Sequence, residues 1–243
     1  MEITWDALLA RIESDPVRHL GGYSPSLLRP YVFGYQHALS FNKKDAIQGD
    51  LSLNRFSRWF TDHIYNGPQG FETYCSLLTE TDPDALALFF EFRKLAVPDT
   101  DVSSGAFFEW EMSILEFLKH DALRTRPAMY FANSHWITRI WAMCRGYLDA
   151  EGDVGVATSF DAQRLEAFEK WVWERFPFAN GQNWGKVFEF LALDVNPKAL
   201  ELFFDNLDLF LEGGSPKDKT KRYQKVLDEL VASAIAHRDA GCE

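Results

Sequence analysis

The apolar positions of this chain follow helical spacing, and one such pattern occurs twice. Residues 82–92 read DPDALALFFEF and residues 196–206 read NPKALELFFDN, at an offset of 114. In both stretches a proline follows the first residue, and apolar side chains then recur every three or four positions, as in an amphipathic helix. Asp82 and Asn196 are the expected N-caps, because each precedes a proline suited to the first turn. The two stretches predict equivalent helices with buried phenylalanines.

The correspondence continues toward the N-terminus at offsets of 110 to 112. The matched landmarks, in chain order, are Ser24 with Ser134, Gly34-Tyr35 with Gly146-Tyr147, Phe56 with Phe168, and Trp59 with Trp171. Landmarks that keep their order predict an internal duplication. We therefore expect two tandem homologous units of about five helices each, residues 1–97 and 105–214. A linker at 98–104 joins them, and a C-terminal helix and tail follow at 215–243.

Apolar spacing predicts the approximate limits of these helices. In the first unit they are expected near residues 3–14, 24–41, 51–65, 68–80 and 83–96, and in the second near 105–121, 134–149, 160–176, 182–192 and 197–212. A further helix near 217–237 has an apolar face, which we expect to pack over the two units or on a partner. Strand-like alternation is not evident, so the predicted fold class is all-α.

Composition is typical of a folded protein. The chain has 243 residues, of which 47% are hydrophobic, and no apolar run approaches the roughly 18 to 20 residues of a membrane helix. Its start, MEITWDALLARIESD, has acids where a signal peptide would have bases, so a cytoplasmic protein without membrane association is expected. The three cysteines are odd in number and widely spaced, which predicts neither a disulfide framework nor a zinc site.

The charge is strongly negative and unevenly distributed. The formal net charge is −11, and residues 98–214 hold 10 Lys+Arg against 19 Asp+Glu. An acidic surface repels nucleic acid and attracts basic proteins, so we expect no nucleic-acid binding. The simpler interpretation is that the charge only confers solubility.

Sequence motifs for catalysis are missing. The chain contains no G-x-S-x-G, no H-E-x-x-H, no P-loop and no Cys-His metal spacing. Asp62 and His63 are adjacent, but neighbouring residues on a helix point about 100° apart and cannot form a dyad. We therefore expect no catalytic residues, no cofactor, no metal and no enzymatic activity.

A short series of motifs resembles a known family. The motifs, in order, are RPAMYF (126–131), a helix ending in GY (146–147), F-x-x-W (168–171), a short helix bearing Trp184, and ALELFF (199–204). This series is similar to that of small bacterial helical proteins encoded beside polymorphic toxins. The resemblance covers residues 114–212 well and residues 7–96 more loosely. It implies an immunity protein that neutralises a cognate toxin by forming a tight complex with it.

An immunity protein needs a surface that faces the toxin. We expect Asp149, Glu151 and Asp153 to cluster in one loop, and Asp205, Asp208 and Glu212 to follow the last helix of the second unit. Loop aromatics Phe178 and Trp184 are candidate anchors. The expected partner is a basic toxin such as a nuclease, because acids can occupy a phosphate-binding groove.

Two other functions remain open from the sequence. The chain could be a ligand-binding or enzymatic helical protein with a pocket between the two units. Alternatively, it could be a scaffold module that forms homo-oligomers through exposed aromatic faces. The immunity hypothesis predicts a monomer or a weak homo-oligomer.

Overall fold

The regular structure of the protein is entirely helical where a computed structural model describes it, so the all-α prediction is confirmed. The described residues are 4–42, 52–67, 70–96, 112–131, 135–155, 159–193 and 195–218, with Gln224, Lys225 and Asp228. Their α-helices are α1 (Trp5–Ser14), α2 (Pro16–Leu20), α3 (Leu28–Phe41), α4 (Leu53–His63), α5 (Phe71–Leu78), α6 (Asp82–Leu95), α7 (Ile114–Lys119), α8 (Asp121–Thr125), α9 (Ala128–Phe131), α10 (Trp136–Val154), α11 (Phe160–Arg175), α12 (Trp184–Leu191) and α13 (Asn196–Leu211). Short 3-10 helices occupy Pro25–Leu27 and Pro177–Ala179.

Most helix limits lie within a few residues of the predicted ones, with two exceptions. Helix α10 was expected to end near residue 149 but continues to Val154. The short helices α2, α8 and α9 were not predicted. The linker at 98–104, the first part of the helix expected near 105–121, and nearly all of the C-terminal helix lie outside the described residues.

The chain divides into two compact units that do not follow its linear order. Unit 1 consists of residues 1–120 and 139–163, and unit 2 consists of 121–138 and 164–243. These limits differ from the sequence boundaries at 1–97 and 105–214. The tandem duplication therefore stays a prediction about how the sequence arose, and each compact unit is considered by itself below.

In unit 1, helices α3 and α10 approach closely at a pair of glycines. A β-carbon on Gly34 would overlap the carbonyl oxygen of Met143, and a β-carbon on Gly146 would overlap that of Tyr31. Each glycine thus faces the carbonyl three residues before the other glycine. Any larger residue would force the backbones apart, which explains why both helices carry Gly-Tyr at the crossing.

The aromatic core of unit 1 consists of Phe56, Phe71 and Phe89. The Phe71 and Phe89 rings stack with centroids 5.1 Å apart and an interplanar angle of 29°. Phe56 meets both rings edge-on, at 5.1 Å from Phe71 and 5.2 Å from Phe89. All three side chains are fully buried, so they anchor α4, α5 and α6 to one another.

The aromatic core of unit 2 consists of Phe168, Trp184 and Phe203. The Trp184 and Phe203 rings stack with centroids 4.9 Å apart and an interplanar angle of 8°. Phe168 meets both edge-on, at 5.8 Å from Trp184 and 5.9 Å from Phe203. These rings join α11, α12 and α13, which are the helices that the sequence paired with α4, α5 and α6.

The N-cap of α6 is Thr81, so the prediction of Asp82 as the cap was wrong. The hydroxyl oxygen of Thr81 accepts a hydrogen bond from the backbone N–H of Asp84. Asp82 is already the first residue of the helix. The prediction of Asn196 as the cap of α13 was also wrong, because Val195 occupies the cap position and no side chain caps the helix there.

Candidate protein-binding surface

The three acids expected in one loop lie on helix α10 of unit 1, and the loop prediction was wrong. The Asp149 carboxylate is almost completely buried. It accepts hydrogen bonds from Nδ1 of His19 at 2.7 Å and from the Tyr31 hydroxyl at 2.8 Å. Arg145, one turn earlier on α10, forms an ion pair with it at 2.7 Å. Asp149 therefore ties α2 and α3 to α10.

The pKa shifts of Asp149 and Tyr31 agree with the hydrogen bond between them. Burial by itself raises the pKa of Asp149, but the His19 hydrogen bond, the Arg145 charge and the Tyr31 hydrogen bond outweigh it and lower that pKa. Burial and the neighbouring Asp149 charge raise the pKa of Tyr31. Asp149 is thus an ionised acceptor and Tyr31 a protonated donor at neutral pH.

Asp153 lies one turn further along α10 and is also engaged within unit 1. Its carboxylate forms an ion pair with Arg11 of α1 at 2.7 Å and accepts a hydrogen bond from the Tyr35 hydroxyl at 2.5 Å. Burial and this hydrogen bond raise the pKa of Tyr35. Asp153 is the least buried of the three acids, yet both of its oxygens have partners.

Glu151 points to a different side of α10 and is buried. It accepts hydrogen bonds from the Asn42 amide at 2.6 Å and from the backbone N–H of Ser159 at 2.9 Å. The second bond satisfies a backbone donor just before α11 begins. These two hydrogen bonds explain why a buried carboxylate is tolerated here, without a partner protein.

Trp184, a predicted anchor, is part of the aromatic core of unit 2. Only 3% of its surface is exposed, and it stacks on Phe203 as the first residue of α12. A side chain buried in this way cannot insert into a partner. The prediction failed because the local sequence does not distinguish a tryptophan in a surface loop from one that begins a packed helix.

Phe178, the other predicted anchor, is exposed. It lies in the 3-10 helix before α12 with 63% of its surface accessible, and its ring centroid is 6.0 Å from that of Phe190, which is 67% exposed. Leu193 and Val195, in the turn between α12 and α13, are 61% and 43% exposed. Backbone hydrogen bonds from Leu193 to Phe190 and from Val195 to Ala192 hold this turn against the end of α12. We call Phe178, Phe190, Leu193 and Val195 the turn surface.

Helix α13 presents acids at spacings of four, three and four residues. Glu201, Asp205, Asp208 and Glu212 share its solvent side and form what we call the acidic stripe. Asp208 receives two hydrogen bonds from the Arg124 guanidinium, at 2.6 and 2.7 Å. Of the acids predicted on this helix, Glu212 is exposed, whereas Asp205 and Asp208 are half-buried.

Counting charges by compact unit changes the distribution inferred from the sequence. Unit 1 contains 12 Lys+Arg and 21 Asp+Glu, and unit 2 contains 13 and 15. Much of the acidic segment 98–214 belongs to unit 1, where α10 carries internally bonded carboxylates. Unit 2 is therefore nearly balanced in charge, and the acidic stripe holds four of its 15 Asp+Glu residues.

The described residues offer little reactive chemistry. Among them, no group of three or more His, Cys, Asp or Glu side chains could hold a metal ion. No helix within the same ranges is long and apolar enough to cross a membrane. Burial raises the pKa of the Cys75 thiol to about 12, so it remains protonated and unreactive.

Phe190, Leu193, Val195 and Glu201 were missed by sequence reasoning. Apolar residues at the end of a predicted helix look like core, and only the fold shows that they face solvent. Val195 gave no signal either, because the sequence placed the N-cap at the polar Asn196 and only the structure places it at Val195. Searches of protein-family models, curated proteins and solved structures found nothing that matches this chain.

Proposed function

We propose that this chain is a cytoplasmic immunity protein, which binds a cognate toxin protein and neutralises it without catalysing a reaction. The observation that carries the proposal is the turn surface of unit 2. Four large apolar side chains are exposed there, and two of them are phenylalanines in ring contact. The resemblance of residues 114–212 to immunity proteins supplies the identity of the partner as a toxin.

The turn surface suits protein binding on energetic grounds. Aromatic side chains lose little conformational entropy on binding and carry much of the energy of protein interfaces. Scattered exposed apolar residues are ordinary, but adjacent ones are a feature of interaction sites. Phe178 rests on a buried base, because it contacts Phe176, which in turn packs on Phe188.

The acidic stripe favours a basic toxin, such as a nuclease. Exposed carboxylates speed association with a basic protein and orient it on approach. A nuclease has bases where it holds phosphates, so a row of carboxylates fits that groove. The stripe begins on α13, the helix that the turn surface precedes, so both features belong to the same part of unit 2.

A binding role also agrees with the use of carboxylates in unit 1. Asp149, Glu151 and Asp153 each contact side chains or backbone groups of other segments, which is typical of groups that hold helices together. A general acid or base needs a proton acceptor or donor site open to a substrate. These carboxylates therefore serve to stabilise unit 1 itself.

Co-expression with a toxin tests the proposal. The product of the neighbouring gene should co-elute with this protein in size-exclusion chromatography, and its toxicity to cells should disappear. Light scattering of the protein alone should give the mass of a monomer or a weak oligomer. Absence of a complex with the purified neighbouring protein would refute the proposed function, and a stable large homo-oligomer would favour the scaffold alternative.

A further inference from the structure

The backbone of the turn surface adopts an unfavourable conformation at Leu193. Leu193 has a φ of +52°, in the left-handed region that glycine adopts readily and that costs other residues energy. Its side chain is mostly exposed, so burial within unit 2 does not offset this cost. A strained residue with an exposed apolar side chain is a sign of a function outside the unit.

Val195, two residues later, leaves the start of α13 without a side-chain cap. It occupies the N-cap of α13, where serine, threonine, aspartate or asparagine would accept a backbone hydrogen bond, and it makes none. Its side chain is also exposed. Two apolar residues of one turn, at positions that favour glycine and a polar cap, are better explained by contact with another molecule than by packing within unit 2.

We infer that the turn surface is the anchor of the toxin interface and that it inserts into an apolar pocket bordered by basic residues on the partner. This inference rests on the proposed function and goes further by naming the contact residues and the chemistry of the partner. The charge of α13 supports the choice of a basic partner. The acidic stripe extends over about 16 Å along the helix, at 1.5 Å per residue.

The arrangement of charge also sets an orientation for the partner. Lys198 lies between the turn surface and the acidic stripe, and Asp208 within the stripe is paired with Arg124. Bases on the partner would therefore lie over the exposed acids Glu201 and Glu212 while its apolar pocket covers Phe190 and Leu193. Since exposed charges mainly affect association, the stripe contributes to the rate and the turn surface to the lifetime of the complex.

Titration calorimetry with the purified product of the neighbouring toxin gene tests this assignment. Phe190→Ala and Leu193→Gly should each weaken binding by at least about tenfold. Leu193→Gly should do so while the thermal midpoint of the free protein stays the same or rises, because glycine relieves the left-handed conformation. Loss of binding with a preserved midpoint separates a contact residue from one that only maintains the fold.

Unit 1 offers a matched control. Leu77 is the seventh residue of the eight-residue helix α5, as Phe190 is of α12, and it is equally exposed. Leu77→Ala should leave affinity unchanged. The double variant Glu201→Gln with Glu212→Gln should slow association in stopped-flow mixing, and added salt should slow the parent in the same way.

The outcomes separate this inference from the proposed function. If the complex forms and Phe190→Ala binds as tightly as the parent, the surface assignment is overturned while the immunity function stands. If the parent forms no complex, both are refuted. If the free protein is a dimer that Phe190→Ala dissociates, the occupant of the turn surface is a second copy of the chain, and the basic partner is rejected.

Discussion

Phe71 of unit 1 and Trp184 of unit 2 occupy the same place in two similar aromatic cores. Each is the first residue of an eight-residue helix, and each stacks on a phenylalanine of the next helix, Phe89 or Phe203. In both cores a third ring meets the stacked pair edge-on. The geometry inside the two cores is therefore alike, although an indole replaces a phenyl ring in unit 2.

The two regions differ where α5 and α12 end. In unit 1 the turn reads Thr79-Glu80-Thr81, and Thr81 caps the following helix. In unit 2 the corresponding turn contains Leu193 in a left-handed conformation and an uncapped helix start at Val195. The end of α5 also exposes apolar side chains, Leu77 and Leu78, so the two units differ in the turn itself. The turn of unit 1 is polar and caps the next helix, whereas the turn of unit 2 has a left-handed leucine before an uncapped helix.

Both cores combine a stacked pair of rings with a third ring that meets the pair edge-on, whereas the two turns differ. Packing constrains a core more than a surface turn, so a difference between turns is the better indication of a difference in binding. Comparison of the two turns is therefore more informative about binding than the acid excess, most of which belongs to unit 1.

The largest expected effect tests the similarity of the two cores. Phe71→Ala and Trp184→Ala should each lower the free energy of unfolding by about 3 to 5 kcal/mol, because each removes a fully packed aromatic ring. Urea denaturation followed by circular dichroism measures this loss. Phe178→Ala, which removes an exposed ring, is the control and should change stability by about 0.5 kcal/mol or less. A small loss for only one core variant would show that the two cores are not equivalent.

A substitution of intermediate effect tests the buried Asp149 carboxylate, which stabilises unit 1 apart from its aromatic core. Asp149→Asn should lower the free energy of unfolding by about 3 kcal/mol at neutral pH, because it leaves the buried His19 and Tyr31 contacts without an ionised partner. The folded pKa of Asp149 is depressed, so its contribution is complete above the unfolded value of about 3.9 and is lost as pH falls through the folded pKa.

Stability should accordingly be measured in urea from pH 7 down to pH 2. The difference between the parent and Asp149→Asn should be constant above about pH 4 and shrink below it. Glu212→Gln, at an exposed position, should follow the parent throughout. A difference that stayed constant down to pH 2 would mean that the partners of Asp149 in unit 1 do not lower its pKa.

Sequence pattern was sufficient for the helices because helical periodicity is a local property. It predicted the buried phenylalanines of α6 and α13 correctly, since their spacing places them on one face. It ended α10 too early, because the polar run after Leu148 has no apolar face of its own. That run is helical because Asp149, Glu151 and Asp153 meet partners more than a hundred positions away in sequence or before the next helix.

The candidate surface was much less predictable. Phe178 was identified as an aromatic residue in a loop, but the same reasoning also selected Trp184, which is core. Leu193 lies just beyond the helix predicted near 182–192, and its conformation depends on a backbone angle that no spacing pattern reveals.

The smallest expected effect tests the two turns directly. Thr81→Ala should lower the free energy of unfolding by about 1 kcal/mol, and Val195→Thr should raise it by a similar amount, because one removes and the other supplies an N-cap. Val195→Ala is the control, since neither residue caps a helix, and should be nearly neutral. Urea midpoints at a constant slope give these differences. If Val195→Thr proved neutral while Thr81→Ala destabilised, the turn of unit 2 could not accommodate a cap, and its valine would then reflect local geometry rather than selection for an exposed apolar contact.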